Sequence, residues 1–300
     1  MKMKRRTFIG MTTSAIVAGT PQKLWANVQE QSTNHDIKIR FLGTGAADWN
    51  GKDERGELRR WSSILVDNKV LIDFTPSNMD MLPVGCRPDT IFYTHSHGDH
   101  YHPKAALQAG VQKVYLSETW FDIAYADFQN ASRELDLPMP DIQPISIGQH
   151  VEVHGISFSP LPANHATNYM MEQTLIYLLE KEGTRLIYAT DTGGLMGKAT
   201  RLAGIDAHQS GQAIHGLIME ATMGMEHAID YRLFTHSSVA TVQQTVQVLT
   251  DTKRYLPATG QWVYLTHMAR TLHGTQAALD NELPSPLRAA YDGLEVVFTH

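Results

Sequence analysis

"YTHSHGDHYH", residues 93–102, sets four histidines and an aspartate in ten positions directly behind the apolar run Thr90, Ile91, Phe92. In an extended chain alternate side chains share a face, so His95 and His97 point the same way and can grip one cation. A turn at Gly98 then swings Asp99 and His100 toward a second position, and one short loop can serve two metal ions. Imidazole nitrogens and a carboxylate oxygen suit Zn2+, with Mn2+ or Fe2+ also accommodated because no thiolate forces the choice. Surface histidines on an ordinary loop are the plainer alternative. They leave unexplained why five ligand-type residues follow a strand that should be buried.

The rest of the chain bounds what such a site can belong to. With 300 residues, 42% of them hydrophobic, the chain is of the globular class with ample material for a core. A formal charge of −6 argues against a surface built to neutralise phosphate backbones, so no nucleic-acid partner is expected. Cys86 is the only cysteine, which excludes a disulfide framework, a four-cysteine zinc knuckle and a CxxC redox pair. At the start, "MKMKRRTFIG" places four basic residues ahead of Phe8, and "FIGMTTSAIVAG" follows as a modestly apolar run. This is the plan of an export signal, too short at 1.5 Å per residue to span a bilayer. Arg5, Arg6, Thr7, Phe8 and Ile9 resemble the twin-arginine signal. The expected organisation is an export signal over 1–26, a flexible lead-in over 27–35 and one domain over 36–300. The expected location is the periplasm or outside the cell, with no membrane association beyond export.

From Asp36 onward strands and helices alternate with short punctuation. "IKIRFLGTGAA" reads as a strand running into a glycine turn, and "SSILVDNKVLIDF" as a hairpin turning at Asp67 to Lys69. "TIFYTH", "VEVHGISFSPLPA", "TLIYLLEKEGTRLIYAT", "GLIMEAT", "WVYLTH" and "LEVVF" read as further strands. "PKAALQAG", "ETWFDIAYADFQNASREL", "SSVATVQQTVQVLTDT" and "GTQAALDNEL" read as helices. No internal repeat or linker is visible. An α/β fold follows, in which two sheets are covered on their outer faces by helices.

"HSHGDH" matches in full the HxHxDH signature of the metallo-β-lactamase superfamily, which the chain resembles over nearly its whole length after the signal. The resemblance implies an αββα four-layer sandwich. It also implies three more ligands, each found behind a strand: His165 in "LPANHA", Asp191 in "YATDTGG" and His267 in "VYLTHMA". By the family's arrangement His95, His97 and His165 take the first metal and Asp99, His100 and His267 the second, with Asp191 bridging. Two adjacent cations lower the pKa of a shared water from 15.7 to about 7, which supplies hydroxide at neutral pH and stabilises negative charge on a substrate. The ligand set alone does not choose among phosphodiesters, lactams, lactones and thioesters.

"FLGTGAA", "EATMG" and "HSSVATV" resemble the branch that holds tRNase Z and the phosphoribosyl cyclic phosphodiesterases. Carried over, Glu220 and His236 stand together beside the metals, where the histidine can protonate a departing oxygen. Asp99, His236 and Glu220 thus form the expected catalytic set. The plainer readings are that His236 caps the helix starting at Ser237 or Ser238 and that Glu220 is a strand-end charge. A basic tRNA-holding arm and a cysteine-rich zinc loop, found in those relatives, are missing here. "DWNGKDERGELRR" instead offers Arg55, Arg59 and Arg60, ahead of Trp61, as candidates for the mouth of the site, although a solvated charged loop is the commoner explanation. Arg270 and His273 are further candidates without a firm role, and His102 is expected beside the ligands or exposed. The expectation is an exported dinuclear hydrolase of a small phosphodiester or related ester, binding a small molecule and forming a homodimer by analogy with relatives. A lactamase or lactonase on the same metals, and a non-catalytic metal-binding protein, are the alternatives.

Overall fold

The computed structural model describes residues 35–206 and 212–300; the expected export signal lies outside the described residues. The first run of strands is β1 (Ile37–Gly43), β2 (Ser63–Val66), β3 (Val70–Ile72), β4 (Thr90–Phe92), β5 (Lys113–Ser117) and β6 (Asp141–Ile145). Helices α1 (Pro103–Ala109) and α2 (Phe121–Leu135) interrupt it. The second run is β7 (Val151–Val153), β8 (Ile156–Pro162), β9 (Leu175–Lys181), β10 (Thr184–Ala189), β11 (Gly216–Glu220), β12 (Val263–Thr266) and β13 (Leu287–Ala289). It carries α3 (Gly197–Leu202), α4 (Val239–Asp251) and α5 (Gln276–Glu282), and β14 (Glu295–Phe298) closes the chain.

These strands make two seven-stranded sheets, in the orders β14-β1-β2-β3-β4-β5-β6 and β13-β12-β11-β10-β9-β8-β7. The period-2 alternation of the strands explains the layering. Ile64 and Val66 of β2 and Leu186 and Tyr188 of β10 face the core between the sheets. Leu65 turns outward onto α1 and α2, through Ala105, Ala124 and Phe128. Ile187 turns outward onto α3 and α4, through Ala199, Val242 and Val246. The result is the αββα four-layer metallo-β-lactamase fold. In the β2–β3 hairpin Asp67 and Asn68 both adopt positive φ, as a tight primed turn requires.

Three strand pairings in the first sheet run parallel, β3–β4, β4–β5 and β5–β6. In the second sheet they are β10–β11, β11–β12 and β12–β13. Loops leaving the carboxyl ends of such strands build binding crevices. Phe92, the last residue of β4, fixes where one of those loops begins: its ring stacks on Phe158 at 4.3 Å and on Tyr115 at 4.6 Å between the sheets. The histidine-rich stretch therefore leaves the core at a defined point. Four elements went unassigned in the sequence: β5, β6, α3 and β13.

Candidate metal centre

The loops after β3, β4, β8, β10, β11 and β12 meet at one edge of the sandwich. His95, His97 and His165 form one group whose ligand atoms lie within 4.8 Å of one another, and Asp99, His100 and His267 form a second. His97 Nδ1 stands 3.0 Å from His95 Nε2 and 3.2 Å from His165 Nε2. Asp191 lies between the groups and divides its oxygens between them. Oδ2 is 3.0 Å from His100 Nε2 and 3.1 Å from His267 Nε2, while Oδ1 is 3.7 Å from His165 Nε2. Asp73, Asp191 and His267 all adopt positive φ just after their strands, a conformation uncommon for non-glycine residues though more open to Asp and His than to most.

A chain of anchored histidines points its lone pairs inward. His95 Nδ1 donates to the Thr94 hydroxyl (2.9 Å), which donates in turn to Asp73 Oδ2 (2.7 Å). His100 Nδ1 donates to the same Asp73 oxygen at 2.7 Å. His165 Nδ1 donates to the Thr235 carbonyl (3.1 Å), and His267 Nδ1 to the Thr222 hydroxyl (2.9 Å). Such outer partners fix the tautomer of a metal-binding imidazole. The Thr222 hydroxyl donates in turn to Glu220 Oε2. The inward Nε2 atoms of His100 and His267 are buried and without a hydrogen-bond partner among the described residues. Burial of a bare imidazole nitrogen between carboxylates is costly unless a cation sits there. These donors therefore fit divalent metal ions.

Burial pushes the imidazolium pKa of His95 far down and those of His97 and His165 down too, so these side chains stay neutral as ligands must. Burial would lift the carboxyls of Asp99 and Asp191, but the neighbouring histidines hold both below the carboxylate range. His100 is lifted against burial by Asp191, Asp99 and Asp73.

Glu220 is fully buried, with Oε1 accepting the Thr192 amide at 2.6 Å and lying 3.1 Å from His236 Nδ1. His236 stacks on His267, ring centres 5.6 Å apart, and its Nδ1 is 3.8 Å from Asp191 Oδ1. It does not cap α4, because Ser238 does, accepting from the Thr241 amide. A cavity of about 360 Å³ opens onto His97, Asp99, His165, Asp191, His236 and His267, with Ala46, Ala47, Ala269 and Leu272 among its other walls.

The expected arginines are not at its mouth. Arg59 is buried and donates to Thr44, Gln276 and the Ala290 carbonyl, so it ties loops together. Arg60 pairs with Asp80 and Asp292. Arg55 pairs with Asp53 and reaches the carbonyls of His273 and Arg270. Arg270 is spent on Asn50, Glu54 and the Lys52 carbonyl, and His273 on the Ala221 carbonyl. His102 accepts from the Ala105 amide and caps α1. Charged loops satisfy their charges locally, and a sequence shows a charge without its partner. Arg232, in contrast, lines the cavity and was not singled out. Asp73 and the hydroxyls of Thr94 and Thr222 were also missed.

Residues 68–268 match the beta-lactamase superfamily domain. Among solved structures, a diphosphatase of the PhnP family is similar at 19% identity and a TM-score of 0.58, over 88% of this chain and 97% of its own. Zn2+-bound PqqB from Methylobacterium extorquens is similar at 16% identity and a TM-score of 0.61, over 86% and 99%. The short form of human tRNase Z matches at 16% and 0.58, over 86% and 98%. At such identities the likeness is one of fold. None of the curated proteins matches the chain.

Proposed function

We propose that this chain, which belongs to the beta-lactamase superfamily, is a metal-dependent hydrolase that cleaves a small phosphodiester or related ester. His95, His97 and His165 would hold one divalent ion, zinc by choice, and Asp99, His100 and His267 another, with Asp191 between. When bound, the ions supply a nucleophile at neutral pH and neutralise charge on the substrate. Everything else falls to the chain's own groups. Export by the twin-arginine-like start, a small-molecule partner and a homodimer belong to the same proposal.

The observation that carries the substrate class is the pairing of His236 with Glu220. A phosphodiester releases a basic alkoxide that needs a proton, and an imidazole held by a carboxylate can deliver it. Burial would deprive His236 of its charge, but the Glu220 carboxylate at 3.1 Å holds its pKa up at about 9. The imidazolium is therefore available at neutral pH. Its Nδ1 faces Glu220, which leaves Nε2 for a leaving oxygen in the cavity that the ring lines. Glu220 keeps the ring oriented and is itself held by the Thr192 amide.

His236 also stands with His165 and Asp191 in a group that could hold a metal. The variant His236→Ala separates the two roles. As a proton donor, its loss leaves zinc content at the wild-type level and slows a dialkyl phosphodiester, whose leaving group is a basic alkoxide, about 10²-fold or more, with a smaller effect on bis(4-nitrophenyl) phosphate. Loss of one zinc equivalent would make His236 a ligand instead. Turnover of a β-lactam but of neither phosphodiester would overturn the substrate class.

A further inference from the structure

Lysine and arginine are scarce in the cavity for a site that would bind an anion. Asp48, Asp99 and Asp191 all line it, and Arg232 is the one lysine or arginine side chain among the described residues that do. The other arginines near the site have their guanidinium nitrogens directed at internal partners: Arg59 at Thr44, Gln276 and Ala290, and Arg60 at Asp80 and Asp292. Arg232 differs. Among the described residues only its Nη1 is hydrogen-bonded, at 3.2 and 3.0 Å from the two oxygens of Asp230, and its side chain is 38% exposed. Among the described residues Nε and Nη2, the edge of the fork suited to two oxygens of one anion, have no hydrogen-bond partner.

The residue is also held in place. Asp230 accepts from the Arg232 amide at 2.9 Å, and the guanidinium carbon sits 4.8 Å from the centre of the Tyr231 ring. The Arg232 carbonyl in turn accepts from the His236 amide at 2.8 Å, so one short turn fixes the cation and the imidazole relative to each other. An arginine tied to the proposed proton donor by its own backbone, with a free donor edge beside a shared cavity, is arranged to hold a ligand rather than the fold.

We infer that Arg232 binds the anionic group of the substrate, a non-bridging oxygen of a phosphodiester, while the apolar wall of Ala46, Ala47, Ala269 and Leu272 takes the organic part. The inference rests on the phosphodiester reading for its substrate, but the test has an arm that does not need turnover. Zinc-loaded wild type, Arg232→Lys and Arg232→Ala are compared for zinc content, for calorimetric affinity toward inorganic phosphate, and for KM and kcat on bis(4-nitrophenyl) phosphate. A charge-assisted contact predicts that Arg232→Ala weakens phosphate binding and raises KM by about tenfold to hundredfold. Zinc content should hold, and the loss should fall on KM more than on kcat. Arg232→Lys keeps the charge without the fork and should lie between. Phosphate affinity within a factor of two of wild type in Arg232→Ala, or no phosphate binding by wild type, overturns the inference. Failure of wild type to hydrolyse any phosphodiester while the phosphate affinities still separate overturns the reaction and leaves Arg232 as an anion site.

Discussion

Asp73 does its work at the scale of a few atoms. It is fully buried, its Oδ1 accepts the Thr94 amide at 2.8 Å, and its Oδ2 accepts both the Thr94 hydroxyl and His100 Nδ1 at 2.7 Å. Two imidazoles, His95 through Thr94 and His100 directly, thus take their orientation from one carboxylate. Asp73→Asn keeps the volume but sets an amide N–H2 among donors and removes the charge that makes His100 a stronger ligand. Zinc affinity should fall about 10- to 100-fold, measured by competition with a chromophoric chelator, while the far-UV spectrum stays native. Unchanged affinity would show that Asp73 serves the fold alone. Nothing in "LIDFTP" distinguishes this aspartate from a strand-end charge. The residues of "HSHGDH" were legible because their types are dense in titrating groups. Thr94 and Thr222, whose hydroxyls bridge imidazoles to carboxylates, read as ordinary strand formers, since a hydroxyl's partner is set by the neighbouring strand.

The turn after β10 shows how elements hold the site together. Gly193 lies between two loops: a Cβ there would meet the Leu233 carbonyl at 2.5 Å, Asn164 Nδ2 at 2.9 Å and the Phe234 backbone at 3.1 Å. Its amide donates to the Asn164 carbonyl at 2.9 Å. The turn therefore seats the segment of His165 against that of Arg232 and His236, and backbone atoms cannot swing aside as a flexible side chain would. Gly193→Ala should displace the 231–236 segment by a few tenths of an ångström and lower kcat/KM about 10- to 100-fold, with zinc content kept. Full activity in that variant would mean that the segment adjusts freely. The longer elements could be read from periodicity, but four short ones could not. β6 has Pro144 within it and pairs only with β5, as an edge strand can. β13 is three residues long, and α3 six, beginning on a glycine. The five residues of β5 lie in a short stretch between two helices.

Across the whole molecule the two sheets share one pairing pattern, three antiparallel contacts followed by three parallel ones, counted from β14 in the first and from β7 in the second. Asp73 and Asp191 follow the fourth strand of each, both at positive φ. The sequence shows no repeat because pairing order is a backbone property that different side chains can satisfy. Bringing the two strand edges together buries many imidazoles at once, and this sets how stability responds to acid. His95, His97, His165 and His273 are all pushed below the ordinary histidine range by burial, His273 to about 4. Unfolded, each would titrate near 6.5. As pH falls from about 6.5 toward 4, the unfolded chain takes up protons that the native state refuses, so native stability drops. His100 and His236 are shifted upward, and their contribution is already complete below 6.5, so they add no opposing slope in that window. Melting temperature of the chelator-treated protein should therefore fall between pH 6.5 and 5. His273→Gln, which can still donate to the Ala221 carbonyl that His273 holds at 2.7 Å, should fall less steeply. Zinc in hundredfold excess over its Kd stabilises by about 2.7 kcal/mol, but it binds neutral imidazole, so its increment in melting temperature should be largest at pH 7.5 and shrink on acidification. A melting temperature that holds or rises between pH 6.5 and 5, or a zinc increment independent of pH, would show that these histidines are charged in the native state.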